Sequence, residues 1–331
     1  KIVLELLHKV GLKIQSKKNH FFQDKLELLG KVITGTTVSP QKRHIESLRR
    51  FPQPTTIKQL QSFLGICTWN CNLVPDYSRT IQPLTKLLRK NEPFIWGPDQ
   101  EAAFQYLKNF FTERTALYFI DYDEPIYVAT DASDKFIAGI AYQVKSYSAE
   151  DIPKLKESLK HTKELHKLPK PSANIKHPLL PKGAIGIPSP FKLTQEGLDS
   201  PHDLSKTQKN AQMENVDVID YQQLTEDYLD DKERLHVVCN VGYYSSSLSK
   251  SQEGYSIIEK EALAAVSSLE SFKPFLQGAK QVYLLTDSRP FLYIMKLMKC
   301  GVSRIQRWSV KLHSLPFELI MVHIKGTVNY S

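Results

Sequence analysis

Residues 125–142 have the sequence PIYVATDASDKFIAGIAY. The first half is rich in β-branched and aromatic side chains, which favour extended backbone, and it leads directly into Asp131. A second apolar run over 136–142 follows after a short polar turn. The pattern predicts two neighbouring strands, with a carboxylate at the end of the first one.

Strand and helix patterns alternate again from residue 236 onward. Together with residues 125–142, the order is strand, strand, strand, helix, strand, helix, strand, which predicts an α/β fold. The later segments are, in chain order, a strand over 236–248, a helix over 256–272, a strand over 281–286, a helix over 290–298 and a strand over 317–323.

Three carboxylates occupy positions that such a fold can bring together. Asp131 and Asp287 each end a predicted strand, and Glu261 lies in the predicted helix between them. Crowded like charges are costly unless a cation lies among them, and carboxylate oxygens are ligands that Mg²⁺ prefers. Two such ions about 3.5–4 Å apart can activate water and stabilise a leaving oxygen in phosphodiester hydrolysis. Each residue alone can equally be a turn, cap or solvated helix residue, so the joint order is what favours a metal site.

The first third of the chain is strongly basic. Residues 1–118 contain 18 basic and 9 acidic side chains, a net charge equal to the +9 of the whole chain. Residues 119–143, which include Asp131, sum to −4. A basic region followed by an acidic stretch favours an anionic partner such as nucleic acid.

The same third is predicted to contain a hairpin followed by helices. An apolar run over 26–33, closed by turn residues, predicts the hairpin. Apolar residues at helical spacing over 39–112 predict a series of helices with an aromatic core. The first of these helices is predicted to begin with Ser39 as its N-cap and Pro40 as its first residue.

The middle of the chain, residues 144–235, has a different composition. It contains no Trp and 8 of the 19 prolines, and its basic first half is followed by an acidic second half. This composition predicts an inserted, largely disordered segment. A basic amphipathic stretch over 152–168 leaves binding to an anionic membrane surface as a weaker alternative.

Cysteine usage and hydropathy exclude several classes of protein. Four cysteines in 331 residues exclude a disulfide scaffold and favour a reducing, intracellular setting over secretion. Cys67 and Cys71 have no Cys/His pair nearby, so a zinc site is not expected. No apolar run approaches the ~18–20 residues needed to span a bilayer, so no membrane partner is expected. The sequence begins with Lys1 and shows no signal-peptide pattern, and a first residue other than Met suggests a piece of a longer chain.

Several short motifs occur in one order along the chain. They are Gly11-Leu12-Lys13, Leu28-Leu29-Gly30-Lys31-Val32-Ile33, Phe51-Pro52-Gln53-Pro54-Thr55-Thr56, Ser62-Phe63-Leu64-Gly65, Pro83-Leu84-Thr85-Lys86-Leu87-Leu88, Phe94-Ile95-Trp96, Thr130-Asp131-Ala132-Ser133, Glu259-Lys260-Glu261-Ala262-Leu263-Ala264, Thr286-Asp287-Ser288-Arg289-Pro290 and Arg307-Trp308. In this order they resemble the Pol polyprotein of Gypsy-class LTR retrotransposons, from the end of the reverse transcriptase palm through the thumb into ribonuclease H.

The resemblance implies four parts. Residues 1–38 are the end of the palm with a primer-contacting hairpin, and 39–118 are the helical thumb. Residues 119–143 together with 236–331 are a ribonuclease H-like α/β domain with a mixed five-stranded sheet. The segment 144–235 has no counterpart in the family pattern and remains an insert.

The resemblance also implies roles for individual residues. Asp131, Glu261 and Asp287 are the catalytic carboxylates that bind Mg²⁺ or Mn²⁺, whereas Glu259 lies on another face of the helix. The partners implied are an RNA–DNA hybrid, a primer-template duplex and the rest of the Pol polyprotein. The candidate phosphate contacts are Lys17, Lys18, Lys31, Lys42, Arg43, Arg49 and Arg50.

Two departures from the family pattern bear on activity. The polymerase turn, a Tyr-x-Asp-Asp motif, is expected upstream of Lys1, so this chain alone is not expected to synthesise DNA. The family's fourth carboxylate is expected just beyond Ser331. The leading hypothesis is therefore a reverse transcriptase and ribonuclease H fragment that cleaves the RNA strand of a hybrid by two-metal-ion hydrolysis. The alternative is a catalytically inactive or co-opted retroelement-derived protein that binds nucleic acid without cutting it.

Overall fold

The structure is a computed structural model of the 331-residue chain. Lys17, Lys18 and most of the predicted insert lie outside the residues that it describes. The described residues are 2–15, 19, 21, 23–113, 116–153, 167–169, 218–220, 234–297 and 303–324.

The chain begins with a helix, α1 (Ile2–Lys9), and a small antiparallel sheet. The predicted hairpin is confirmed, and its tight turn uses positive φ angles of 49° at Leu29 and 79° at Gly30. The strands of this sheet are β1 (Lys25–Leu28), β2 (Lys31–Thr34), β3 (Thr37–Pro40) and β4 (Leu117–Tyr118), in that order.

The predicted helix start at Ser39 and Pro40 is wrong. Both residues belong to β3, where Pro40 pairs with Lys31 at the end of the strand. Proline is tolerated at a strand end because few ladder hydrogen bonds are lost there. The N–H of Gln41 donates to the carbonyl of Gly30, and the first of the predicted helices begins only after this contact.

Five α-helices follow between β3 and β4 in the described residues, and the apolar spacing predicts all of them except the shortest one. Thr56 caps the second of them, because its hydroxyl accepts a hydrogen bond from the N–H of Gln59 at 3.3 Å. Their buried faces form one core around Phe63, Phe104 and Phe111. The helices are α2 (Lys42–Arg49), α3 (Ile57–Thr68), α4 (Tyr77–Thr80), α5 (Gln82–Lys86) and α6 (Pro98–Glu113).

The second sheet is mixed and has five strands, which confirms the predicted α/β class. Strand β10 is parallel to its two neighbours, β5 and β11, whereas β6 is antiparallel to β5 and β9. In chain order the remaining strands are β5 (Ile126–Ala132), β6 (Phe136–Ser148), β7 (Lys167–Pro169), β8 (Val218–Asp220), β9 (Arg234–Ser247), β10 (Gln281–Thr286) and β11 (Glu318–His323). The sheet order is β11-β10-β5-β6-β9, and β7 and β8 form a separate antiparallel pair.

Two of the strands extend further than their sequence patterns indicate. The sequence places their boundaries at residues 143 and 236, but β6 pairs with β9 as far as Ser148 opposite Arg234. The added pairs carry polar side chains such as Ser146, which hydrogen-bonds His236 at 2.8 Å. The segment that leaves and returns to the sheet is therefore shorter than 144–235.

Helices from the second half of the chain pack on one face of the five-stranded sheet. The longest of them packs on β5 and β6. Its buried residues, which include Ala262, Leu269 and Phe272, belong to the main core of this region. Within the described residues, no helix is long and apolar enough to cross a membrane. The helices are α7 (Lys250–Glu253), α8 (Ile257–Leu276), α9 (Arg289–Leu297) and α10 (Ser303–His313).

Candidate functional site

Asp131 lies near the carboxyl end of β5, the central strand of the five-stranded sheet. Its partner on β6 is Ala138, and Ala138 in turn pairs with Ser245 on β9. The backbone N–H of Ala132 donates a hydrogen bond of 2.9 Å to Asp131 Oδ1. A strand that is paired on both sides gives this carboxylate a rigid support.

Asp287 directly follows the last residue of β10. Because β10 is parallel to β5, the two strands end at the same edge of the sheet, beside Asp131. Nε2–H of His323, at the end of β11, donates to the carbonyl of Asp287 across 3.1 Å. The backbone that carries Asp287 is thus tied to the neighbouring strand.

Glu261 lies in the second turn of α8 and has only 5% of its surface exposed. The helix begins with a capping box: Ser256 Oγ accepts from the N–H of Glu259 at 3.3 Å, and Glu259 Oε2 accepts from the N–H of Ser256 at 3.0 Å. This fixed start sets which residues of α8 face the sheet edge.

Glu259 has a structural role at the start of this helix. Besides closing the capping box, its carboxylate accepts a hydrogen bond from Arg304 on α10 at 2.5 Å. Arg304 also lies 4.0 Å above the ring of Tyr255. The hydrogen bond from Ser256 N–H, assisted by Arg304, lowers the pKa of Glu259 below its usual value. Glu261 is therefore the acidic residue of α8 that faces the aspartates.

The structure brings together all three carboxylates that the sequence singled out. One oxygen from each of Asp131, Glu261 and Asp287 lies within 4.8 Å of the others. Burial, followed by the charge of Asp287, raises the pKa of Asp131 to about 7. Burial, followed by the charges of Asp131 and Asp287, raises the pKa of Glu261 to about 8.

This cluster has the chemistry of a site for a divalent cation. Glu261 Oε2 is buried and, within the part of the chain that the structure describes, has no hydrogen-bond partner. A buried oxygen without a partner is costly, and a cation would both satisfy it and reduce the repulsion between the carboxylates. An all-oxygen donor set suits Mg²⁺ or Mn²⁺ better than softer metals.

Four of the predicted nucleic-acid contacts lie on or directly beside α2. Glu46 pairs with Arg49 at 3.9 Å and with Arg50 at 2.5 Å. Exposed ion pairs within one helix are weak, so they do not prevent these cations from contacting a phosphate backbone. The four exposed side chains are Lys42, Arg43, Arg49 and Arg50.

Lys31 differs from these four because its ammonium group packs against the helices. Its Nζ donates to Asn70 Oδ1 at 2.6 Å, and burial lowers the pKa of Lys31. This bond ties the hairpin to the end of α3, so Lys31 orients the hairpin. The other two predicted contacts, Lys17 and Lys18, lie outside the described residues.

An open cleft of about 560 Å³ separates the β1–β2 turn from α2 and α3. The sequence patterns gave no signal for Trp69, which lies at this cleft with 60% of its surface exposed. A flat aromatic side chain beside Arg43 can stack on a base or sugar. The lining residues are Leu29, Gly30, Arg43, His44, Ser62, Gly65, Ile66 and Trp69.

The sequence patterns also gave no signal for two further charged residues that act on Asp131. Asp76 immediately precedes α4, and Arg79 lies within it. Their charges reach Asp131, whose pKa is raised by Asp76 and lowered by Arg79. No pattern marks residues 76–80, because a four-residue helix is too short to show apolar periodicity.

The chain does contain one Tyr-x-Asp-Asp match, at Tyr228-Leu229-Asp230-Asp231. The four-residue pattern therefore also occurs inside this chain, and not only at the expected position upstream of Lys1. The match falls within the predicted insert, after the thumb motifs, and outside the described residues.

Comparison with known proteins gives a consistent pattern. Residues 96–163 and 223–315 match models of the RNase H-like domain found in reverse transcriptase. The chain is 21% identical to the Retrovirus-related Pol polyprotein from transposon opus of Drosophila melanogaster, over 99% of this chain and 25% of the relative. It is 24% identical to the Transposon Tf2-3 polyprotein of Schizosaccharomyces pombe, over 96% of this chain and 18% of the relative. The chain thus spans a quarter or less of these relatives.

Solved structures of a foamy viral protease-reverse transcriptase share the fold. One, in complex with an RNA/DNA hybrid, has a TM-score of 0.55 at 15% identity and covers 99% of this chain and 34% of that chain. Another, in complex with double-stranded DNA, has a TM-score of 0.55 at 16% identity, covering 98% and 42% of the two chains.

Proposed function

We propose that this chain, which is similar in sequence to the Pol polyproteins of LTR retrotransposons, binds an RNA–DNA hybrid and hydrolyses the RNA strand. The observation that carries this proposal is the convergence of Asp131, Glu261 and Asp287 from two strand ends and a helix, with oxygens within 4.8 Å. The same three residues are the ones that the strand and helix pattern of the sequence and the family resemblance both single out, which supports the proposal.

In this proposal the three carboxylates form a fixed, acidic surface on which the scissile phosphate is positioned. Asp131 and Asp287 are supported by paired strands, and Glu261 by the capped helix α8. Two Mg²⁺ (or Mn²⁺) ions bound there would supply the acidity that activates a water and the positive charge that stabilises the leaving oxygen. Asp131 and Glu261 must be ionised for this role, and their raised pKa values of about 7 and about 8 favour activity at neutral to alkaline pH.

The basic first third of the chain would provide affinity for the substrate. Phosphate contacts from Lys42, Arg43, Arg49 and Arg50 bind a duplex largely without reading its sequence. The cleft beside Trp69 offers one stacking surface next to these charges. Selection of the RNA strand would then depend on duplex shape and on contacts to 2′-hydroxyl groups.

The test is hydrolysis of a labelled RNA–DNA hybrid in Mg²⁺ or Mn²⁺ by the chain and by Asp131→Asn. We expect the variant to lose at least about a hundredfold in rate, the scale on which removal of one electrostatic stabiliser acts. Asp123→Asn, an exposed position just before β5, makes the same chemical change away from the cluster and should keep full activity.

Equal hydrolysis by the chain and by Asp131→Asn would overturn the site assignment. Hybrid binding that weakens steeply with salt, without cleavage by the unmodified chain, would instead favour the alternative of an inactive nucleic-acid-binding protein. Binding to neither hybrid nor duplex would overturn both functions.

A further inference from the structure

The short helix α4 is docked on the five-stranded sheet at the same row as Asp131. Ser78 N–H donates to Ser245 Oγ at 2.8 Å, and Ser78 Oγ donates to the carbonyl of Ser245 at 2.8 Å. Ser245 pairs with Ala138, and Ala138 pairs with Asp131. Side chains that are directly opposite in paired strands share a face, so Ser245 and Asp131 point to the same side of the sheet.

Arg79 directly follows the residue that makes this docking contact, and its charge reaches Asp131. Its guanidinium lies 5.5 Å above the ring of Phe136, the first residue of β6. Its Nη1 is 3.8 Å from Asp76 Oδ2, a separation that leaves most of its five donors uncommitted to that carboxylate. About a quarter of the side chain, 27%, is exposed to solvent. Arg79 is thus oriented on one side by an aromatic ring and remains accessible on another.

A cation at this position can offset the repulsion between the carboxylates and a bound phosphate. Three carboxylates repel the phosphodiester backbone that must lie against them. The positive charge of Arg79 has the opposite effect, and it lowers the pKa of Asp131. A guanidinium binds phosphate through parallel hydrogen bonds, which fix position as well as supplying charge. Asp76, with its left-handed backbone at φ 49°, lies where it can orient the guanidinium.

We propose that Arg79, a residue of the helical region, binds a phosphate of the hybrid strand that lies over Asp131. This inference rests on the proposed function and extends it, because it makes cleavage depend on a side chain that the ribonuclease H-like sheet does not itself contain. The docking of α4 through Ser78 then sets the distance between the phosphate contact and the carboxylates.

The test is equilibrium binding of an RNA–DNA hybrid in EDTA, where no cleavage occurs, across a series of salt concentrations. For Arg79→Gln we expect affinity to fall roughly tenfold and the slope of log K against log salt to decrease by about 1, the signature of one lost phosphate contact. Arg79→Lys should retain the slope. Arg89→Ala, an exposed arginine on the same region, should leave both quantities unchanged.

Ser78→Ala separates phosphate binding from a purely structural role. It removes one docking hydrogen bond and keeps the charge, so its salt slope should equal that of the unmodified chain even if its Tm falls. A normal slope and affinity in Arg79→Gln, when the unmodified chain binds hybrid, would overturn this proposal alone. Failure of the unmodified chain to bind hybrid would overturn the proposed function as well.

Discussion

At the scale of single residues, the carboxylate cluster makes the metal-free protein sensitive to pH. The pKa of Asp131 is about 7 and that of Glu261 about 8, both above the 3.8 and 4.5 expected of exposed groups. The folded chain therefore holds protons that the unfolded chain releases near pH 4. Stability from these groups is fully present below about pH 4 and is lost as pH rises through 7 to 8.

We expect urea denaturation in EDTA to show stability that falls between pH 5 and pH 8, by up to about 1.4 kcal/mol per pH unit for each such group. Millimolar Mg²⁺ should restore stability at pH 8 and have little effect at pH 5, because protonated carboxyls bind metal poorly. In Glu261→Gln both the pH slope and the Mg²⁺ effect should shrink. A slope unchanged by this substitution would show that other groups cause it.

Residues of the site differ in how far the sequence could reveal them. Asp131 and Asp287 follow clear strand patterns, whereas the choice of Glu261 over Glu259 comes from the family resemblance, since the two glutamates lie on different faces of the helix. Asp76 and Arg79 could not be found in this way, because their relation to Asp131 depends on the docking of a four-residue helix on a distant strand. Contacts between residues far apart in sequence leave no periodic signal.

At the scale of elements, α8 packs unusually closely on β6. A Cβ atom added at Gly139 would lie 2.6 Å from the Cβ of Ser268, which is fully buried on α8. Gly139→Ala should therefore push α8 away from the sheet and cost about 1–3 kcal/mol. Because α8 also carries Glu261, we expect hydrolysis to fall with stability, as measured by Tm and hybrid cleavage.

Matched variants separate this clash from a general effect of replacing glycine. Gly35→Ala meets no atom within 4 Å and should be nearly neutral. Ser268→Ala should be neutral or stabilising, since Ser268 Oγ is buried and lacks a partner among the described residues. Ser268→Gly combined with Gly139→Ala should recover part of the loss, and equal losses in the single and double variants would contradict the packing argument.

The elements themselves were largely predictable from sequence, and their limits were not. Apolar spacing located the helices of the first third, apart from the short α4, and the strands of the second sheet. The sequence pattern did not predict the polar end of β6, which pairs with β9 as far as Ser148. Strand pairing requires backbone hydrogen-bond partners, and it can continue where the side chains no longer alternate between apolar and polar. Pro40 led to the wrong prediction of a helix start, because proline occurs at the end of a strand as well as in the first turn of a helix.

At the scale of the whole molecule, the helical region and the five-stranded sheet share part of their cores. Tyr243 on β9 packs against the helical core and also against the sheet cluster that contains Tyr142. The reciprocal hydrogen bonds of Ser78 and Ser245 lie beside this contact. Regions joined through buried side chains are expected to unfold together, whereas regions joined by a linker unfold separately.

Two probes can follow these regions separately in one chain. In a Trp308→Phe background, fluorescence reports only Trp69 and Trp96 of the helical region, because the chain has three tryptophans, while circular dichroism reports both regions. We expect the two urea transitions to coincide. Ser245→Ala removes one of the two docking bonds and should lower both midpoints together, by about 0.5–1.5 kcal/mol in stability. Separate transitions would mean that the two regions fold independently, and the distance from Arg79 to Asp131 would then not be fixed by the fold.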